Sequence, residues 1–125
     1  MSVVYLSSED ILVIAGYACG PQEVVIRDLG LLESAAHRPS AAMFGQEAYD
    51  DLFDKAAALL QSLLINHPLV DGNKRTAWLS SVTFLAVNGH QLRPDIDAAE
   101  RLVISVVTGE NEEVKVIGEA LRALL

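Results

Sequence analysis

Residues 49–89, YDDLFDKAAALLQSLLINHPLVDGNKRTAWLSSVTFLAVNG, decide how the chain is read. Leu52, Phe53, Ala56, Leu59, Leu60, Leu63 and Leu64 recur at spacings of three and four, which puts them on one face of a helix. Pro68 disfavours helical geometry at the residue before it, so that helix must stop at about His67. A second helix is predicted to begin just after Gly72-Asn73 and to run to the C-cap signal Asn88-Gly89. Its residues Ala77, Trp78, Leu79, Val82, Phe84, Leu85, Ala86 and Val87 are apolar nearly all round, the pattern of a buried central helix. Trp78 and Phe84 are expected in the core.

Helical signals continue on both sides. Ser7 followed by Asp10 resembles an N-cap arrangement for a first helix carrying Ile11, Leu12, Ile14, Ala15 and Ala18, which Gly20-Pro21 terminates. Val24-Val25-Ile26 is β-branched and suits extended chain, and Gly30 to His37 suits a short helix stopped near Pro39. Residues 22–45 are the least regular part. Downstream, Asp95 or Asp97 can open a helix ending at Thr108-Gly109. Asn111 is placed to cap a final helix with Val114, Ile117, Leu121 and Leu124 on one side. No repeat, linker or low-complexity tract interrupts the chain. The expectation is a single compact all-α domain over residues 1–125, with a possible extended excursion near 23–27.

Composition narrows the function. With 51% hydrophobic and 21% charged residues, the 125-residue chain has enough apolar material for a packed core. Seventeen acidic against nine basic residues give a net charge of −8, which would repel the backbone of DNA or RNA over most of the surface. Nucleic acid is therefore not an expected partner. The single cysteine, Cys19, cannot form an internal disulfide and lies in no zinc-ligand spacing, which suits a reducing cytoplasm. The first apolar run has no basic flank and is broken by Ser7, Ser8, Glu9 and Asp10, so no signal peptide is expected. No segment has the roughly 18 uncharged apolar residues of a membrane-spanning helix.

The linker between the two central helices concentrates the reactive side chains. Free amides at a helix N-terminus converge where the macrodipole favours negative charge, so the start of the second helix is a natural phosphate site. Gly72 permits close backbone approach, while Asn73, Lys74 and Arg75 can add side-chain donors. Arg75 can grip two oxygens, whereas Lys74 acts as a point charge. Asp71 is a misfit beside an anion unless a cation bridges the two, as Mg²⁺ does in nucleotide enzymes. His67 adds a group able to take a proton near neutral pH. Simpler readings stand beside these. His67 suits a helix-end cap, Asp71-Gly72-Asn73 suits a turn, and Lys74 and Arg75 suit a solvated surface. Against the last, a helix N-terminus is the wrong end for cations that have no anion to hold. His37 and His90 have no partner motif and are read as structural or surface residues.

The string HPLVDGNKR, His67 to Arg75, resembles over its first seven residues the signature H-x-F-x-[D/E]-[G/A]-N of the Fic/Doc family, and above all its Doc branch, where Lys follows Asn. The preceding DLFDKAAALL, the following FLAVNG and the late VTGE resemble the same branch in order and spacing, so nearly the whole chain is covered. The resemblance implies a Fic/Doc helical fold and ATP as substrate. It makes His67 the general base on a target hydroxyl and Asp71 the Mg²⁺ ligand, with Gly72, Asn73, Lys74 and Arg75 forming the anion loop. Two positions depart from the pattern: Leu69 replaces the usual Phe, and Trp78 stands where many Fic adenylyltransferases carry a second Arg. Those enzymes typically have Gly at the Lys74 position. The Doc branch implies transfer of the γ-phosphoryl group to a threonine of elongation factor Tu, which arrests translation, by a toxin held in check by a cognate antitoxin. Protein adenylylation and a catalytically silent binding module are the alternatives. No [S/T]-x-x-x-E-[G/N] inhibitory string occurs in the chain. Restraint is therefore expected from an antitoxin's C-terminal segment folding onto the protein.

Overall fold

A computed structural model describes residues 2–20, 23–93 and 95–125. Among the described residues there are six α-helices: α1 Ser8–Ala18, α2 Leu29–His37, α3 Leu52–Asn66, α4 Asn73–Val87, α5 Ile96–Val107 and α6 Val114–Arg122. A 3-10 turn, Arg38–Ser40, follows α2, and a two-stranded antiparallel hairpin pairs β1 (Ala42–Met43) with β2 (Gln46–Glu47). The architecture is the expected all-α one.

Helix boundaries follow local chemistry. Ser7 and Asp10 form a reciprocal capping box at the start of α1. Asp28, Asp51 and Asp95 each accept backbone N–H bonds at the starts of α2, α3 and α5. The chain leaves α1 through Cys19 and Gly20; Pro21, the other half of that stop signal, lies outside the described residues. Asn111 does not cap α6, whose N-cap is Glu113 without a side-chain bond. Asn111 instead turns back on α5, with its N–H on the Ser105 carbonyl and its Nδ2 on Ser105 Oγ. α6 begins at Val114, so Asn111 stands two residues before its N-cap.

Helix α3 is the hub, packing against α2, α4, α5, α6 and the 3-10 turn, while α1 lies on α4 and α2. Ten of its fifteen residues are buried, including Ala56, Ala57 and Ala58 together with Leu59, Leu60, Leu63 and Leu64. The small alanines let neighbouring helices approach, and the leucines fill the layer with Phe84 and Leu85 of α4, Leu102 and Val106 of α5, and Ile117 and Leu121 of α6. α4 buries Thr76, Ala77, Ser80, Ser81, Phe84 and Leu85, with Trp78 and Val82 half-buried against the same core. His90 packs edge-on to Phe53, and His37 is exposed, so neither approaches a reactive cluster.

One charged side chain sits inside. Lys55 is 1% exposed. Its ammonium donates to the Pro39 carbonyl at 3.2 Å and pairs with Glu47 at 3.1 Å, and it lies over the Tyr5 ring. A buried charge survives only if paired and hydrogen-bonded, as here. Burial works against the charge, but hydrogen bonding to Tyr5 and Glu47 outweighs it and holds the ammonium pKa above its ordinary value. Lys55 therefore ties α3 to the N-terminal segment, the 3-10 turn and the hairpin.

Candidate active site

The linker between α3 and α4 combines a buried pair with outward-facing residues on both sides of it. Pro68 and Leu69 are buried and peg the loop to the body, while His67, Val70 and Asp71 are exposed. Asn73 locks the turn from within: its Oδ1 accepts from the Leu69 N–H at 3.0 Å, and its Nδ2 donates to the Leu69 carbonyl at 2.9 Å. That carboxamide is read from sequence as a donor to an anion. Here it is occupied mainly in shaping the loop, leaving the Asn73 backbone N–H and one amide hydrogen for a ligand.

The extended segment expected near 23–27 also serves this loop. Ile26 forms an antiparallel bridge with Leu69, and the Val70 N–H donates to the Val25 carbonyl. The Arg27 and Asp28 N–H groups both donate to the Pro68 carbonyl. The loop is thus held by an isolated bridge and its flanking backbone bonds along one side and by a side-chain clasp at its end.

Gly72 is the hinge into α4. Its φ of 82° is left-handed, and a Cβ there would collide with Cys19 Sγ. Its N–H is taken by Asp71 Oδ1 at 2.8 Å. The first α-helical bond of α4 runs from the Thr76 N–H to the Gly72 carbonyl, and no side chain caps the helix. The Asn73, Lys74 and Arg75 N–H groups therefore open toward the space in front of the helix. Lys74 and Arg75 are exposed, and neither makes an ion pair among the described residues.

All six sequence-predicted residues, His67, Asp71, Gly72, Asn73, Lys74 and Arg75, line one cleft of about 550 Å³ together with Cys19 and Val70. A carboxylate, two cations, three uncapped amides and an imidazole thus face a common volume. The donor set fits an anion bearing a metal ion. Asp71 supplies one carboxylate, and no group of three His, Cys, Asp or Glu side chains forms a dedicated metal cage among the described residues. Mg²⁺ is commonly held by one or two carboxylates with phosphate oxygens completing the shell, which suits this site.

A model of the Fic/DOC family matches residues 5–85, a span that begins before α1 and runs through the cleft into α4. The chain belongs to the Fic/Doc family. It is 54% identical over 106 residues to the protein named Toxin Doc of Mycolicibacterium smegmatis (strain ATCC 700084 / mc(2)155), a match covering 83% of this chain and 81% of that protein. Among the described residues, no helix is long and apolar enough to cross a membrane.

Two contributors to the Fic/Doc loop escape sequence reading. Cys19 is the C-cap of α1, yet its sulfur abuts Gly72 and lines the cleft. Arg27 donates to the carbonyls of Asn66 and His67. Neither belongs to a motif with the loop. The extended run 24–26 was the only sequence signal near Arg27, and it carried no information about its partner strand.

Proposed function

We propose that this protein is the toxin of a type II toxin–antitoxin pair, a protein kinase that transfers the γ-phosphoryl group of ATP to a threonine of a translation factor. Elongation factor Tu is the target that the Doc resemblance suggests. The observation that carries the reading is the convergence of His67, Asp71 and the Gly72–Arg75 turn on one cleft at an uncapped helix N-terminus. The name of the 54% identical relative supports the toxin role.

In this reading the threonine hydroxyl loses its proton to the His67 imidazole as its oxygen bonds to the γ-phosphorus, and the bond from that phosphorus to the ADP oxygen breaks. The α4 amides and Arg75 hold phosphate oxygens, and Lys74 offsets charge on the moving group. Asp71 would hold Mg²⁺, which neutralises phosphate charge when bound. A neutralising antitoxin segment restrains the activity, since the chain carries no inhibitory string of its own.

Adenylylation is less well supported. Lys74 occupies the first turn of α4, where a glycine would leave room for the α- and β-phosphates. Trp78 is half-buried against the core and brings no second cation to the cleft. Incubating the protein with a bacterial lysate and ATP labelled on either the γ-phosphate or the adenine separates the readings. Label from the γ-phosphate alone is expected. Label from adenine overturns the kinase reading in favour of nucleotidyl transfer, and no label on protein overturns both.

A further inference from the structure

His67 stands in a left-handed backbone conformation. Its φ of 48° and ψ of 63° are left-handed, and among the described residues only Phe44 shares a positive φ with a side chain attached. Such a geometry is uncommon for residues other than glycine, though histidine adopts it more readily than most and helices often end on it. It ends α3 and begins the loop in the same residue, so it also sets the direction in which the imidazole leaves the chain.

The peptide units on either side of it are held from 40 positions upstream. Arg27 Nε donates to the His67 carbonyl and Nη2 to the Asn66 carbonyl, both at 2.6 Å. These carbonyls lie at the C-terminal end of α3, where helix acceptors have no partner within the helix and the dipole is negative. A planar guanidinium can satisfy two adjacent acceptors at once, which neither an ammonium nor an amide does with the same geometry. Arg27 itself is anchored, because its N–H and that of Asp28 both bind the Pro68 carbonyl on the other side of His67. The residue is therefore gripped before, at and after its own peptide unit.

Arg27 does not line the cleft and touches no group read as holding nucleotide. We infer that Arg27 is a positioning residue for His67: its guanidinium clasps the end of α3 and holds the His67 backbone left-handed, which aims the imidazole into the cleft. The inference rests on reading His67 as the base, but its structural half stands without any assay of transfer. An arginine serving only as a helix cap would affect stability alone. A positioning arginine affects where the imidazole sits and how fast the transfer step runs, while leaving nucleotide affinity to the α4 loop.

The test compares wild type with Arg27→Gln and Arg27→Lys. In the ATP-free protein, the imidazole resonances of His67 are expected to move and broaden in both variants, with those of His37 and His90 unchanged. At saturating ATP, kcat for Arg27→Gln is expected to fall on the order of tenfold to a hundredfold, the scale of a small misplacement of a reacting group. KM for ATP should stay within about twofold and Arg27→Lys should recover part of the loss, because one cationic donor replaces a two-pronged fork. Unmoved His67 resonances overturn the inference, as does an unchanged kcat or a loss confined to KM. If wild type transfers nothing, the kinase reading fails and the resonance comparison still decides the role of Arg27. If Arg27→Gln does not fold, Arg27→Lys carries the same comparison.

Discussion

His67 and Gly72 bracket the loop with the same left-handed backbone, but only Gly72 lacks a Cβ. Gly72→Ala would introduce an unfavourable φ and drive a methyl group into Cys19 Sγ. It is expected to cost about 1–3 kcal/mol of stability and to abolish nucleotide binding. Thermal unfolding and an ATP titration check both, and an Ala variant that melts and binds like wild type would contradict the packing described. Asp71→Asn isolates the charge, since the isosteric amide keeps an oxygen for the Gly72 N–H. Stability should change by no more than about 0.5 kcal/mol, while Mg²⁺-dependent transfer drops sharply. Transfer that proves indifferent to EDTA would rule out the metal role. The six cleft residues were legible because they fall within nine consecutive positions between two helix signals. Arg27 and Cys19 were not, since their proximity to the loop arises only when α1 and the 24–28 segment fold back on it.

At the level of elements, the six helices follow from apolar spacing, with aspartate or serine caps on α1, α2, α3 and α5 and Pro68 at the end of α3. The hairpin was missed because its strands are two residues each and expose both side chains, leaving no alternation to read. Asn111 is not the cap because it is folded back on Ser105 of α5 and the first turn of α6 starts only at Val114. Two helical glycines show what sequence alone could not rank. Gly16 lies exposed in α1 with open space around its Cβ position, whereas a Cβ on Gly118 of α6 would lie 2.6 Å from Asp54 Oδ1 and 3.3 Å from the Asp54 backbone nitrogen. Gly16→Ala should therefore stabilise by about 0.5–1 kcal/mol. Gly118→Ala should lose that gain to overpacking at the α3–α6 contact and come out neutral or destabilising. Urea unfolding of the two variants side by side checks the contrast, and equal stabilisation would mean that the α3–α6 approach is looser than described.

Across the whole molecule, Lys55 links four segments through one buried ammonium. Its folded pKa is raised above the unfolded value, so its contribution is fully present below the unfolded pKa and is lost as pH rises through the folded one. Stability should accordingly decline in strongly alkaline solution, and a Lys55→Met variant should show a flatter decline there in denaturant titrations at a series of pH values. The same variant should cost about 1–3 kcal/mol at neutral pH, because the Pro39 carbonyl loses its partner while half-exposed Glu47 can turn to water. The function proposed for the molecule reduces to one claim, that the cleft transfers a phosphoryl group from ATP to a threonine with His67 as base. Intact mass spectrometry of purified elongation factor Tu, incubated with ATP, Mg²⁺ and either wild type or His67→Ala, tests it most directly. The account predicts the mass of one added phosphoryl group with wild type and none with a folded His67→Ala variant. An adenylyl adduct, or phosphorylation undiminished by the loss of His67, would contradict it.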